Sequence, residues 1–346
     1  MSRGTHAVAS AARLRRLPIV VLLAAGALFT APAEARAGHV PAGGQPFATW
    51  VEILPAASPP DRAAAGIAYD AAREEVVLFG GTHGRPPQLG DTWTFDGGSW
   101  KEEAPLRSPP YRSGPAMAYD AARRRVVVFG GVNAHLGYLN DTWSWDGRTW
   151  TKKRPPTSPT PRFGARMVYD PGSELVLLFG GNLGEQTLDD TWAWDGTTWT
   201  LLHPATSPPA RSQFGMAYDR LNEEIVLFGG TPTPGGQLGD TWTWSGSNWH
   251  DEDPAWAPSP RNGPGMAFDP DLGTVILFGG GNDESFDLRD TWKWDGETWR
   301  QLDTGRSPPP RSHAAMTSRG EGRPLIFGGV RLLFDYRGDT WAFLSR

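Results

Sequence analysis

Short apolar runs recur along the chain, and each of them ends in a pair of glycines. A run such as Val126 to Phe129 is apolar at every position, which is typical of a strand that is covered on both faces. Successive pairs are 49 or 50 residues apart, and this regular period indicates a repeat protein. The pairs are Gly80-Gly81, Gly130-Gly131, Gly180-Gly181, Gly229-Gly230, Gly279-Gly280 and Gly328-Gly329.

The tripeptide Asp-Thr-Trp recurs with the same period and begins a second strand pattern. From Thr142 to Trp145, polar residues alternate with tryptophans, which places both indoles on one face of a strand. The turn Asp146-Gly147 favours a hairpin that leads into another strand at Trp150. A segment of small residues, such as 113–119, precedes each apolar run. The sequence therefore predicts an all-β fold, a six-bladed propeller of four-stranded antiparallel blades.

The two ends of the chain predict how the propeller closes. The sixth repeat stops at Arg346, just after its third strand, and so lacks a fourth. Trp50 precedes Arg62 by the twelve residues that separate tryptophan and arginine in every other repeat. We therefore predict that an N-terminal strand, residues 49–54, completes the last blade and removes its open edge. The predicted propeller domain covers residues 47–346.

The start of the chain has the features of an export signal. A basic beginning leads into an apolar run over residues 17–29 and then into Ala33-Glu34-Ala35, which has small-x-small spacing. The run is shorter than the roughly 20 residues of a membrane-spanning helix. We predict a signal peptide over residues 1–35 and a flexible mature N-terminus over residues 36–46. The mature protein is then periplasmic or extracellular, without a transmembrane span.

The amino-acid composition argues against several classes of function. The chain has 33 basic and 38 acidic residues, a balance that argues against nucleic acid as a partner. It contains no cysteine, which excludes disulfides, cysteine-bound metals and thiol nucleophiles. All but one of its 17 tryptophans lie at repeat positions, where packing is the expected role.

One arginine and one aspartate in each repeat are predicted at the same end of the propeller, since the arginine opens the first strand and the aspartate opens the third. We expect them to pair as a structural ring that braces the loops, and a ligand-binding ring of charges is the alternative. The residues are Arg62, Arg112, Arg162, Arg211, Arg261 and Arg311 with Asp91, Asp141, Asp190, Asp240, Asp290 and Asp339.

The apolar run ending in Gly-Gly, the aromatic strand after Leu-x-Asp, the later tryptophan and the Pro-x-Arg sequence together resemble the kelch repeat. The resemblance covers residues 47–346. Within the kelch family, the chain is similar to bacterial, exported, six-bladed propellers. It implies binding at the channel mouth and on the face formed by the loops before the first strand and after the Gly-Gly pair. Galactose oxidase has a similar propeller, but its copper centre requires a cysteine, so that activity is excluded.

Three loops depart from the repeat and form the candidate ligand site, which we expect to lie on neighbouring blades. Aromatic rings beside carboxylates suit a sugar, because rings stack on C–H faces and carboxylates bind hydroxyls. The candidate residues are Trp256, Asp283, Glu284, Phe286, Phe334 and Tyr336. Trp256 could instead fix its own loop to the blade. The acidic residues could instead hold calcium, although regular Asp-x-Asp-x-Asp-Gly spacing is absent.

The leading hypothesis is a monomeric binding module outside the cytoplasm, with a glycan or a protein as its partner. It has no predicted cofactor, no predicted metal site and no identifiable catalytic residues. A sugar-active enzyme, such as an isomerase similar to the kelch mutarotases of sialic acid, is a second hypothesis that rests on fold analogy alone. A structural surface protein without a ligand is a third.

Overall fold

The computed structural model describes residues 48–346, apart from Pro87, Ser285, Gly320, Glu321 and Leu333. The predicted signal peptide and flexible N-terminus, and residue 47 of the predicted propeller domain, lie outside the described residues. Within the described part of the chain, no helix has the length and apolar character needed to cross a bilayer.

The described residues form six antiparallel four-stranded sheets, which are the blades of the predicted propeller. The first strand of the chain, β1 (Ala48–Ile53), belongs to the last blade. Blade one consists of β2 (Gly66–Asp70), β3 (Glu75–Phe79), β4 (Thr92–Phe95) and β5 (Trp100–Glu103). Blade two consists of β6 (Ala116–Asp120), β7 (Arg125–Phe129), the short ribbon β8 (Val132–Asn133) and β9 (Gly137–Tyr138), and then β10 (Thr142–Trp145) and β11 (Trp150–Lys152).

The other blades repeat this order from inner to outer strand. Blade three consists of β12 (Arg166–Asp170), β13 (Leu175–Phe179), the ribbon β14 (Asn182–Leu183) and β15 (Gln186–Thr187), β16 (Thr191–Trp194) and β17 (Trp199–Leu202). Blade four consists of β18 (Gly215–Asp219), β19 (Glu224–Gly230), β20 (Leu238–Trp244) and β21 (Trp249–Glu252). Blade five consists of β22 (Gly265–Asp269), β23 (Thr274–Phe278), the ribbon β24 (Gly281–Asn282) and β25 (Phe286–Asp287), β26 (Thr291–Trp294) and β27 (Trp299–Leu302). Blade six consists of β28 (Ala315–Arg319), β29 (Arg323–Arg331) and β30 (Asp335–Ser345), completed by β1.

The predicted closure of the ring is confirmed, with a shift of one residue. β1 pairs antiparallel with β30 from Ala48 opposite Ser345 to Ile53 opposite Thr340. The strand ends one residue before the predicted limit, Leu54, whose side chain is exposed. Pro55 explains this end, since a proline has no backbone N–H to extend the ladder.

The core lies between neighbouring blades rather than inside any one of them. Val127 and Phe129 of β7, for example, pack with Val176 and Leu178 of β13 and with Trp199 of the outer strand. The second strands are buried on both faces because each is sandwiched between two blades, which explains their continuous apolar runs. Each blade therefore depends on its neighbours for stability.

The glycine pairs are required where one blade approaches the loop of the next. Gly130 and Gly131 have φ angles of 65° and 97°, a region that residues with a side chain rarely adopt. A Cβ atom on Gly130 would lie 2.8 Å from the carbonyl oxygen of Arg162. The N–H of Gly131 donates to that same carbonyl at 2.8 Å, so the pair joins blade two to blade three.

Candidate functional site

The arginine and aspartate of each repeat form a buried ion pair inside their own blade. In blade three, the Nη1 and Nη2 atoms of Arg162 donate to the two carboxylate oxygens of Asp190 at 2.6 and 2.8 Å. Nη1 also donates to the carbonyl of Gly180, and Trp192 donates its indole N–H to the same aspartate at 2.7 Å. The six pairs, at 2.6–2.7 Å, are Arg62–Asp91, Arg112–Asp141, Arg162–Asp190, Arg211–Asp240, Arg261–Asp290 and Arg311–Asp339.

The arginines of these pairs are buried and already engaged, whereas the aspartate side chains are 13–29% exposed. Each arginine side chain is no more than 1% exposed. Burial acts to raise the pKa of the aspartate carboxyls, but hydrogen bonds from arginine and tryptophan outweigh it. The net result is a lowered pKa at Asp91, Asp141, Asp190, Asp240 and Asp339. Their contribution to stability is therefore present above the ordinary aspartate pKa of about 3.9 and is lost as the pH falls below it.

The later tryptophan of each repeat holds one blade to the preceding one. The indole N–H of Trp199 in blade three donates to the Thr142 hydroxyl of blade two at 2.9 Å. Trp50 of β1 makes the equivalent bond to Thr291 of blade five, so the N-terminal strand is held as any fourth strand is. The complete set is Trp50–Thr291, Trp100–Thr340, Trp150–Thr92, Trp199–Thr142, Trp249–Thr191 and Trp299–Thr241, all at 2.9–3.0 Å.

The loops between the second and third strands contact one another from blade to blade, and we call the surface they form the loop face. The backbone N–H of Leu332 in blade six donates to the Asp287 carboxylate of blade five at 2.6 Å. Gln237 of blade four donates to Asp283 of blade five at 3.0 Å. The ring of Tyr336 packs so close to Gly84 of blade one that a Cβ atom there would lie 2.6 Å from it. Blades four, five, six and one are thus linked at this face.

The loop face carries exposed apolar side chains on blades five and six. Phe286, Leu332 and Phe334 are exposed by 66%, 56% and 82% respectively. We call these three residues the apolar patch. Because the Asp287–Leu332 hydrogen bond joins the two loops, the patch is held across the boundary between the blades.

Most of the predicted ligand residues lie on the loop face. One of the two predicted carboxylates already accepts a hydrogen bond from a neighbouring loop. Asp283 accepts from Gln237, while Glu284 is exposed and makes no ion pair or hydrogen bond with the described residues. Phe286, Phe334 and Tyr336 all lie on this face.

Trp256 is placed elsewhere, against the outer strand of blade five. Its carbonyl oxygen accepts from the backbone N–H of Trp299 at 3.1 Å and from the Thr298 hydroxyl at 3.4 Å. We expected Trp256 to lie near the candidate loops of blades five and six, but none of its described contacts is with those loops. Its backbone fixes the loop after β21 to blade five, and its indole is 60% exposed.

The first strands of the six blades surround a cavity of about 630 Å³ on the propeller axis. At the loop-face end, six backbone units form a closed ring in which each N–H donates to the carbonyl of the preceding blade, at 2.6–3.0 Å. All six have φ angles between 52° and 69°. Only Gln213 and His313 bring a side chain longer than a methyl group to this ring. Its members are Ala64, Gly114, Gly164, Gln213, Gly263 and His313.

Arg166, the first residue of β12, also lines this cavity. Its Nε atom donates to the carbonyl of Phe214 at 3.0 Å, and no described carboxylate pairs with it. The side chain is partly accessible because it borders the cavity, yet protein surrounds it, and this burial lowers the pKa of Arg166 to about 10. The residues at the same position in the other blades are Gly66, Ala116, Gly215, Gly265 and Ala315.

His313 is the second unusual group in the cavity wall. Burial lowers its pKa to about 4, the charge of Arg166 acts in the same direction, and Asp287 acts against both. The Nε2 atom is buried and has no hydrogen-bond partner among the described residues. The imidazole is therefore neutral at physiological pH. No group of three or more His, Cys, Asp and Glu side chains in the described part of the chain is arranged to hold a metal ion.

A model of the KLHDC2/KLHL20/DRC7 Kelch-repeats domain matches residues 48–195, from β1 through β16. The remaining blades carry the same Gly-Gly pair, the same Arg–Asp pair and the same Trp–Thr bond. The described chain is a six-bladed β-propeller whose first blades match the kelch-repeat model and whose other blades resemble them. No curated protein matches it.

Arg166 and Gln213, which were not predicted from the sequence, depart from the repeat at or just before the first strand of their blades. Arg166, Gln213 and His313 occupy positions at which most or all other repeats have glycine or alanine. A comparison of the small positions from repeat to repeat would have found all three. Large side chains in the loops are more conspicuous departures from the repeat, and the candidate ligand site was therefore predicted there.

Proposed function

We propose that this kelch propeller is a binding module whose loop face receives a protein partner. The apolar patch is the observation that carries the proposal. Three large apolar side chains stand in solvent on loops that cross-blade hydrogen bonds hold in place. Exposed apolar groups of this kind favour a macromolecular contact, and aromatic side chains dominate the energy of such contacts.

The described contacts favour a protein over a glycan. A sugar site needs carboxylates that can turn towards hydroxyls, but Asp283 and Asp287 are each held by a hydrogen bond from a neighbouring loop. Trp256, the expected stacking platform, makes its contacts at the outer strand of blade five. What remains beside Glu284 is an apolar surface, which suits an apolar side chain of a protein.

The test compares the mature protein with a double variant, Phe286→Asn and Phe334→Ser, as bait for surface proteins of the producing cell. Asparagine tolerates the φ angle of 57° at position 286. Leu106→Ser is the matched control, because Leu106 is 97% exposed in the loop between β5 and β6. We expect a partner whose purified form binds the wild type and the control alike, with affinity reduced by about 100-fold or more in the double variant.

Two outcomes would contradict this proposal. In the first, the purified partner binds all three proteins equally, which removes the apolar patch from the interface. In the second, a glycan array gives binding that Asp283→Ala and Trp256→Ala abolish, which returns the site to a carbohydrate.

We also propose that the protein is exported, on the strength of the basic start, the apolar run and Ala33-Glu34-Ala35. Expression of the full chain in a bacterial host is expected to yield a mature protein outside the cytoplasm that begins at Arg36. Mass spectrometry of the fractionated cells measures both the location and the N-terminus. A chain that keeps its first residues and stays in the cytoplasm contradicts export.

A further inference from the structure

The axial cavity is lined by a cation, Arg166, that has no acidic partner among the described residues. Arg162 and Arg166 lie four residues apart in blade three, yet their surroundings differ. Arg162 donates to both oxygens of Asp190, to the carbonyl of Gly180 and to Thr160. Within the described part of the chain, Arg166 makes a single hydrogen bond, from Nε to the carbonyl of Phe214. Neither of its terminal amino groups has a hydrogen-bond partner among those residues, and the side chain lines the cavity.

An unpaired guanidinium in this place opposes folding rather than supporting it. Enclosing a charge without a counter-ion is unfavourable, and here the lowered pKa of Arg166 has burial as its cause. Glycine or alanine at the same position in the other five blades shows that the strand needs only a small residue there. A ligand that supplies the missing negative charge would offset the cost.

The rest of the wall indicates what kind of molecule fits around the guanidinium. One layer consists of apolar side chains from all six blades, namely Ile67, Met117, Met167, Met216, Met266 and Met316. Methionine adapts its shape easily and tolerates varied apolar ligands. Near the ring at the loop-face end, Gln213 and the neutral His313 provide the polar groups. A volume of about 630 Å³ is within the range of small-molecule pockets.

We propose that the axial cavity is a binding site for a small organic carboxylate, which Arg166 holds through its two terminal amino groups while the methionine layer contacts the apolar body. A guanidinium whose Nε is already engaged still presents two parallel N–H donors to two carboxylate oxygens. One positive charge beside a neutral imidazole matches one negative charge, which favours a monocarboxylate over a phosphate dianion. This site is separate from the apolar patch and does not rest on the proposed protein partner.

The test measures binding of matched acids and amides to the purified mature protein by calorimetry. The probes are acetate, hexanoate and benzoate, each against its own amide, which has nearly the same shape but no charge. The variants are Arg166→Met, which matches the neighbouring methionines, and Arg220→Met as the control. Arg220 also lines the cavity but is exposed at the turn between β18 and β19.

We expect at least one acid to bind the wild type about ten-fold or more tightly than its amide, since a charged bidentate contact is absent in the amide. Arg166→Met is expected to abolish this preference, and Arg220→Met to keep it. The same acid should raise the melting temperature of the wild type but not that of Arg166→Met.

Three results would overturn the site. One is equal binding of acids and amides, or no binding of any acid up to about 10 mM, which corresponds to negligible affinity. Another is an unchanged preference for the acid in Arg166→Met. The last is a lower melting temperature for Arg166→Met without ligand, since that would give Arg166 a structural role.

Discussion

Blade three contains two arginines, Arg162 and Arg166, whose surroundings and equivalents in the other repeats differ. Arg162 has an equivalent in every repeat, is buried, and has its aspartate and carbonyl partners within the same blade. Arg166 has no equivalent, lines the axial cavity and lacks an acidic partner among the described residues. Residues that all six repeats share have their partners inside the fold. A large residue at a position where the other repeats are small is not required by the repeat, so it is a candidate for chemistry of another kind.

The largest expected effect compares a repeated tryptophan with the unrepeated one. Trp50 is fully buried and closes the ring through its bond to Thr291, whereas Trp256 is 60% exposed. Trp50→Ala is expected to lower the free energy of unfolding by about 3–5 kcal/mol for lost packing and by about 1 kcal/mol more for the hydrogen bond. Trp256→Ala should change it by less than about 0.5 kcal/mol. Urea denaturation measures both, and similar losses would contradict the division between repeated and unrepeated residues.

The next prediction applies the same substitution to the two arginines. Arg162→Met leaves Asp190 without its counter-ion, and we expect a loss of about 3–5 kcal/mol in the free energy of unfolding. Arg166→Met removes an unpaired charge and should leave this free energy unchanged or raise it. Thermal and urea denaturation of the two variants test the comparison directly. It fails if Arg166→Met destabilises the protein as much as Arg162→Met does.

A smaller effect concerns the pH dependence that His313 gives to stability. Its pKa falls to about 4 in the folded protein, below the value of about 6.5 in an unfolded chain. Between these values the unfolded state binds more protons, so the free energy of unfolding decreases as the pH falls from 6.5 towards 4. The loss should reach about 2 kcal/mol at pH 5.

The His313→Gln variant provides the control, since it lacks the titrating imidazole. Denaturation at pH 7 and pH 5 gives the change in stability for each protein. We expect a larger change in the wild type, and NMR should show a neutral His313 imidazole at pH 5. Equal changes in the two proteins would mean that His313 titrates as it does in water.

The fold could be predicted because its signals are local and repeat six times. Gly-Gly, Asp-Thr-Trp and the later tryptophan each define one strand boundary, and the spacing from Trp50 to Arg62 was enough to place β1. The sequence could not show that Asp283 accepts from Gln237, because that bond joins loops 46 residues apart in different blades.

The axial cavity escaped prediction for a related reason. Arg166 follows Gly164 and Ala165 at the start of a strand, and nothing beside it in the sequence identifies it as a cavity residue. At the equivalent glycines Gly66, Gly215 and Gly265, a Cβ atom would lie only 2.9, 2.3 and 2.7 Å from a methionine of the next blade. Only the closed ring of six blades brings these positions together.

The smallest expected effect concerns how much the repeated Trp–Thr hydrogen bond contributes to the free energy of unfolding. Trp199→Phe keeps an aromatic ring against Phe129 but removes the indole N–H that donates a hydrogen bond to the Thr142 hydroxyl. We expect a loss of about 1 kcal/mol in the free energy of unfolding, because the Thr142 hydroxyl stays buried without that donor. In a double-mutant cycle with Thr142→Val, most of this loss should disappear, since neither partner is then left unpaired. Additive losses would mean that the bond contributes nothing between the blades, and that aromatic packing alone holds each fourth strand to its neighbour.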